Sequence, residues 1–96
     1  MAVYINTLIG GNITIGSGGS APAARTATRV WYGDDPNVYT DYEIEGYIEG
    51  SIEPTTQISN VENAKKIEIG SSVYGINNYS FINCYNLTDI IIPYTV

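Results

Sequence analysis

Two stretches of this chain overlay when one is shifted by 23 residues, so that residue 60 falls on residue 83. Residues 60–70 read NVENAKKIEIG and residues 83–93 read NCYNLTDIIIP. The identical pairs are Asn60/Asn83, Asn63/Asn86, Ile67/Ile90, Ile69/Ile92 and, further along, Val73/Val96. Apolar matches at alternate positions predict stacked coils, each with one strand whose inward side chains share a core with the next coil. We expect the matched polar positions to be buried and to satisfy the backbone at the turns.

The wider stretch 67–96, IEIGSSVYGINNYSFINCYNLTDIIIPYTV, carries a series of motifs at fixed intervals. In chain order they are Ile69-Gly70, Val73, Ile76, Ser80-Phe81, Asn83-Cys84, Asn86-Leu87-Thr88, Ile90 and Ile92-Pro93. This series resembles the BspA-like leucine-rich repeat, and a 23-residue period lies within the range of leucine-rich repeats. The pattern departs from the family at Asn77, where Gly is usual, and at Tyr79-Ser80 before Phe81.

The resemblance implies an incomplete leucine-rich repeat over residues 59–96 and a set of core positions within it. These are Ile67, Ile69, Val73, Ile76, Phe81, Cys84, Leu87, Ile90, Ile92 and Val96. The resemblance also implies that Cys84 is a small, buried side chain of the core. The chain has no His to activate a thiol, so a nucleophilic role for this residue is disfavoured.

A β-hairpin module is predicted ahead of the repeat, over residues 26–58. Residues 26–32 are β-branched and aromatic, residues 33–37 (GDDPN) form a dense turn signal, and residues 38–44 resume an extended pattern. Residues 28–58 resemble the short β-module that often precedes such repeats. Beyond the hairpin, Glu and Ile alternate in short extended pieces, which predicts outward Glu43, Glu45, Glu49 and Glu53 with inward Ile44, Ile48 and Ile52. A solvated acidic face is favoured over paired catalytic carboxylates, and Asp34-Asp35 lacks the spacing of an EF-hand calcium loop.

Residues 1–25 predict an N-terminal anchoring β segment followed by a linker. Short alternations at residues 3–8 and 12–15 flank Gly10-Gly11, a candidate tight hairpin turn. Residues 16–24, GSGGSAPAA, have the composition of a flexible linker, and no Lys-Ser/Thr follows to make a phosphate loop.

The amino-acid composition of the chain limits which partners and which kinds of site it can have. The formal charge is -6, with ten acidic and four basic residues, which disfavours nucleic acid and anionic membrane as partners. The chain has no His and one Cys, so His-based triads, internal disulfides and multi-Cys metal sites are excluded. We expect no enzyme activity and no cofactor.

The expected fold is mainly β: an N-terminal β segment and linker, a β-hairpin module, and the start of a leucine-rich-repeat β-solenoid. The C-terminal side of the stack, Ile90–Ile92, is expected to lack a cap, which predicts a homo-oligomer or a larger assembly.

Repeats of this kind are known from bacterial adhesins and from phage proteins, and no secretory signal is recognisable at Met1. We therefore expect a structural or adhesive virion component, in a head or tail fibre or as a decoration protein, docking on other virion proteins through residues 1–20. The alternative is a bacterial cell-surface adhesin or host-interaction module, and the partner would be a host glycan or surface protein. The candidate interaction surface is Tyr4, Ile5, Trp31, Tyr74, Tyr79 and Tyr94.

Overall fold

The fold, in a computed structural model that describes residues 14–15, 22–77 and 79–96, is mainly β, as the sequence predicts. Among the described residues, one 3₁₀ turn, Val61–Asn63, precedes the fifth strand. The described strands are β1 Thr14–Ile15, β2 Thr28–Trp31, β3 Thr40–Tyr42, β4 Gly46–Ile48, β5 Lys66–Glu68, β6 Val73–Ile76 and β7 Asp89–Ile91. They form a five-stranded sheet in the order β1-β7-β5-β2-β3 and a two-stranded sheet of β4 and β6.

The predicted hairpin is present as β2 and β3, which pair antiparallel with Arg29 opposite Asp41. Asp35 organises the turn between them. Its carboxylate accepts a hydrogen bond from the Asn37 amide at 2.9 Å, and its carbonyl accepts one from the Val38 amide at 3.1 Å. These bonds satisfy turn backbone that would otherwise compete for strand pairing.

The 23-residue shift of the sequence is also the register of a parallel strand pair. Ile67 of β5 lies opposite Ile90 of β7, and the pairs on either side keep the same offset. Thr88 strengthens the contact between the two coils, because its amide and its hydroxyl both donate to the Lys65 carbonyl, at 2.9 and 3.2 Å. The strands β5 and β7 therefore pair in the register that the 23-residue overlay predicts.

The hairpin module and the repeat share one hydrophobic core rather than separate ones. Val30, Ile44, Ile48 and Ile58 belong to the same buried cluster as the repeat residues. Two strand pairings bring this about, since β2 runs antiparallel beside β5 and β4 runs parallel beside β6. All ten repeat-core positions named from the sequence are buried: Ile67, Ile69, Val73, Ile76, Phe81, Cys84, Leu87, Ile90, Ile92 and Val96.

Ile52 departs from the predicted alternation. Ile44 and Ile48 are buried as expected, but Ile52 is 82 % exposed. It lies in the connection after β4, where the chain has left the sheet and period-two alternation no longer selects a face.

The matched Asn residues occupy a turn conformation rather than the core. Asn60 and Asn83 have φ of 51° and 63°, the left-handed region that Asn tolerates better than most side chains. Both are exposed, so the expectation of buried polar positions is wrong here. The repeat keeps Asn at this position because of backbone shape rather than because of a buried hydrogen bond.

The outer edge of β7 is paired within the chain, which corrects the expectation of an uncapped edge at Ile90–Ile92. β1 runs parallel to β7, with Thr14 opposite Asp89 and Ile15 opposite Ile90. The candidate hairpin at Gly10-Gly11 and the Gly/Ser run 16–21 lie outside the described residues.

Candidate functional site

The outer face of the five-stranded sheet collects charged and aromatic side chains. On β2, Thr28 and Val30 are buried whereas Arg29 and Trp31 are partly exposed, because alternate side chains point to opposite faces. Register then places Trp31 opposite Lys66 of β5, and Lys66 opposite Asp89 of β7. One row across this face thus carries an aromatic ring, a cation and a carboxylate.

Trp31 is held in place by contacts on three sides. Its indole N–H donates to the Pro36 carbonyl at 2.9 Å, which satisfies the only polar atom of the ring. The ammonium of Lys66 lies 4.8 Å from the ring centroid, within the range of a cation–π contact. The Tyr39 ring lies 5.9 Å away, tilted by 58°. The orientation of this side chain is therefore fixed by the hairpin turn, by Tyr39 just before β3, and by Lys66 of β5.

Ion pairs stabilise the rest of this face. Arg29 makes two hydrogen bonds to the Asp41 carboxylate, at 2.8 and 3.0 Å, and its guanidinium lies 3.7 Å from the Tyr39 ring centroid. The hydrogen bond from Arg29, followed by its positive charge, lowers the pKa of Asp41. Arg25 pairs with Glu68 at 2.9 Å. Each of these pairs is partly exposed, so solvent screening keeps its contribution to stability small.

A cleft of about 240 Å³ opens beside Trp31. Its walls come from the hairpin turn on one side and from the coil edge around β5 and β7 on the other. Asp34 of the turn reaches across to Lys65, with the two charged groups 2.7 Å apart. The hydrogen bond from Lys65 and then its charge lower the pKa of Asp34. The lining residues are Trp31, Gly33, Asp34, Pro36, Lys65, Lys66, Thr88 and Asp89.

A larger and more polar depression of about 470 Å³ lies over the turn layer of the repeat. Both left-handed Asn residues, Asn60 and Asn83, line it together with Glu53 and Glu62. Both carboxylates are exposed.

In the part of the chain that the structure describes, no group of three or more His, Cys, Asp or Glu residues could hold a metal ion.

The predicted interaction residues do not form a single site. Trp31 lies on the five-stranded sheet, whereas Tyr74 lies on β6 of the other sheet, 59 % exposed, with Tyr47 of the neighbouring β4 51 % exposed. Tyr79 and Tyr94 are exposed in turns of the repeat, and Tyr4 and Ile5 lie outside the described residues.

Several residues of the Trp31 cleft were missed from the sequence, because their proximity depends on pairing between distant strands. Lys66 reaches Trp31 only through the antiparallel β2–β5 pair, and Lys65 reaches Asp34 from 31 residues away. The nearest sequence signal is the dense turn 33–37, which places polar groups beside the end of β2 without indicating what faces them.

Cys84 is buried within the repeat core. Burial, assisted by the nearby charge of Glu62, raises the pKa of its thiol to about 12. The thiolate, which is the reactive form, is therefore scarce at neutral pH.

Within the described ranges, no helix has the length and apolar character needed to cross a membrane.

Comparison of the chain with protein-family models, with curated proteins and with solved structures found no match.

Proposed function

We propose that this chain is a non-enzymatic structural or adhesive protein and that it serves as a component of a phage virion. The observation that carries the proposal is the parallel pairing of β5 and β7 at the 23-residue offset, with buried Ile67 and Ile90 facing each other and several Tyr side chains exposed on the surface. Its resemblance to BspA-like repeats supports a recognition role. Docking on other virion proteins through residues 1–20 and association into a homo-oligomer belong to the same proposal.

The exposed aromatic pair on the two-stranded sheet supports a binding role. Tyr47 and Tyr74 lie on neighbouring strands and both are more than half exposed. Tyr combines a large apolar ring with a hydroxyl, so it gives much contact area for little loss of conformational freedom, and it is enriched at binding hot spots. A partner that covers this pair would bury surface that water now contacts.

The chemistry of the titratable groups also supports binding over catalysis. The only thiol is buried with a raised pKa. Glu43 and Glu45, the pair considered as catalytic carboxylates, are both exposed. Paired catalytic carboxylates face each other across an enclosed cleft, whereas these two side chains lie in solvent after β3.

Location separates the virion proposal from the adhesin alternative. Antibodies raised against the purified chain should label phage particles from the source culture in electron micrographs and detect the chain in purified virions. Labelling of the cell envelope with clean virions would instead establish the surface adhesin. Detection only in the soluble cell fraction would overturn both.

Adhesion is tested separately, with fluorescently labelled chain and intact bacterial cells. We expect the Tyr47→Ser/Tyr74→Ser double variant to bind less than the wild-type chain. Tyr85→Ser is the matched control, because Tyr85 is 56 % exposed and belongs to a turn rather than to either strand. Equal binding by all three chains would show that the aromatic pair is not an adhesive surface.

A further inference from the structure

The cleft beside Trp31 has the features of a small-molecule site rather than those of a protein interface. Its volume, about 240 Å³, is below the range of about 300–1,000 Å³ typical of pockets for drug-sized ligands, and it suits a single ring. An aromatic side chain lies on one side, with hydrogen-bonding groups from the turn and from the coil edge around it. This pairing of one apolar surface with a polar rim matches a molecule that has an apolar face and a polar periphery.

Trp31 is preorganised for stacking. Its N–H is already satisfied by Pro36, and Tyr39 limits rotation of the ring, so little conformational entropy is lost when a ligand packs against it. The Lys66 ammonium lies 4.8 Å from the ring centroid, on a flexible stem, in a contact that is weak at an exposed site. A ligand ring can therefore replace this ammonium against the indole at small cost.

The charges around the cleft indicate which ligand fits. Asp34 and Asp89 supply two carboxylates, and Lys65 and Lys66 supply two ammonium groups, so the lining is neutral within a chain of formal charge -6. Lys65 is already paired with Asp34 at 2.7 Å, which leaves little net attraction for an anion. The carboxylates accept hydrogen bonds and the neighbouring ammonium groups donate them. Each hydroxyl of a polyol can both donate and accept, so adjacent hydroxyls can pair with both kinds of group.

We propose that the Trp31 cleft binds one ring of a neutral glycan, with the C–H face of the sugar against the indole and its hydroxyls on Asp34 and Lys65. This inference rests on the proposed adhesive function and supplies its ligand class. The Thr88 hydroxyl donates to the Lys65 carbonyl and keeps its lone pairs available, so it is an acceptor for a further sugar hydroxyl.

Trp31 is the only Trp in the chain, so its fluorescence reports on this cleft directly. The full 96-residue chain is titrated with methyl glycosides of neutral hexoses, deoxyhexoses and N-acetylhexosamines, with sialic acid and inorganic phosphate as anionic probes. We expect saturable changes in Trp31 emission with at least one neutral glycoside and none with the anions. Saturation-transfer NMR on the same samples should show the strongest transfer to protons of the sugar C–H face.

Substitutions separate the cleft from the rest of the surface. Trp31→Ala should weaken binding by about tenfold or more, and Trp31→Phe by less, since Phe retains a ring. Because both variants lack the fluorophore, their binding is measured by saturation-transfer NMR. Asp34→Asn should weaken it by about threefold or more through loss of a charged acceptor. The Asp34 side chain is 90 % exposed, so this variant keeps the fold even where Trp31→Ala does not. Tyr85→Ala and Glu43→Gln are the controls outside the cleft, and circular dichroism checks each fold.

The inference is overturned if no neutral glycoside binds at millimolar concentration, if the anions bind more tightly, or if Trp31→Phe and Asp34→Asn both bind as the wild-type chain does. Failure of the proposed function looks different. If the chain adheres to cells or is found in virions but binds no sugar, the proposed function stands and the glycan site is refuted. If the chain binds sugars but is found on neither phage particles nor the cell envelope, the glycan site stands and the proposed function is refuted.

Discussion

The stacking of the two coils is tested by substitutions at consecutive residues of β7. Ile90 is 0 % exposed and faces Ile67 across the parallel pair, whereas Ile91 is 44 % exposed on the opposite face. Ile90→Ala should therefore destabilise the chain strongly and Ile91→Ala weakly. The two substitutions remove the same atoms from the same strand, so each controls for the other.

The magnitude follows from burial. Ile→Ala removes about three methylene-sized groups, and each is worth about 0.8 kcal/mol when it leaves water completely. A cavity in a core that relaxes only partly raises the cost at Ile90 to about 3–4 kcal/mol. At Ile91 the loss is about 1 kcal/mol, because that side chain already contacts water. For 96 residues the expected total stability is about 5–14 kcal/mol, so Ile90→Ala removes a large share of it.

Urea denaturation followed by Trp31 fluorescence measures both variants and a double-mutant cycle. Ile67→Ala with Ile90→Ala should show a coupling energy of about 0.5 kcal/mol or more, because the two cavities join, and Ile67→Ala with Ile91→Ala should be additive. Equal destabilisation by the two single substitutions, or no coupling between Ile67 and Ile90, would refute the 23-residue register.

Three further substitutions or measurements address other features. A Cβ on Gly70 would overlap the Thr26 carbonyl oxygen, so Gly70→Ala should lower the urea midpoint sharply, whereas the same change at Gly33, where nothing lies within 4 Å, should have little effect. Asn83→Gly should preserve or slightly raise stability and Asn83→Ala should lower it by about 1 kcal/mol, because φ is 63°; equal midpoints would contradict the left-handed turn. The folded-state pKa of Cys84 lies above its ordinary 9.0, so the stability it contributes is complete below pH 9.0 and declines as pH rises towards about 12. A thiol reagent should modify Cys84 at pH 8 only in urea, and rapid labelling of the native chain would contradict its burial.

The sequence predicted those parts of the fold that depend on local pattern or on self-similarity. The turn at residues 33–37 is apparent from its Asp, Pro and Asn residues, and the β5–β7 register follows from the 23-residue overlay. The β4–β6 pair was not predicted, because its register is irregular: Gly46 lies opposite Val73 but Tyr47 lies opposite Gly75. Such a bulge breaks the constant offset on which an overlay relies.

The candidate site was predicted in part only. The sequence analysis names Trp31 as one of six candidate interaction residues, and the structure adds its neighbours Tyr39, Lys66 and Asp34. Single-sequence patterns indicate which side of a strand a residue occupies, and they carry no information on the strand that lies beside it. The cleft exists because the hairpin turn and the coil edge meet, and that meeting is a long-range event.

The sequence by itself determined the β class, the hairpin and the repeat period, since turn chemistry and alternate aliphatic residues act over a few neighbouring positions. Only the tertiary structure decided that β2 closes the near side of β5 and that β1 pairs with the far side of β7. Unpaired strand edges accept any extended segment of suitable register, so the choice depends on which segments the chain connectivity and the shared core bring together. The same long-range choice sets Trp31 beside two lysines and two aspartates and makes the cleft a candidate binding site.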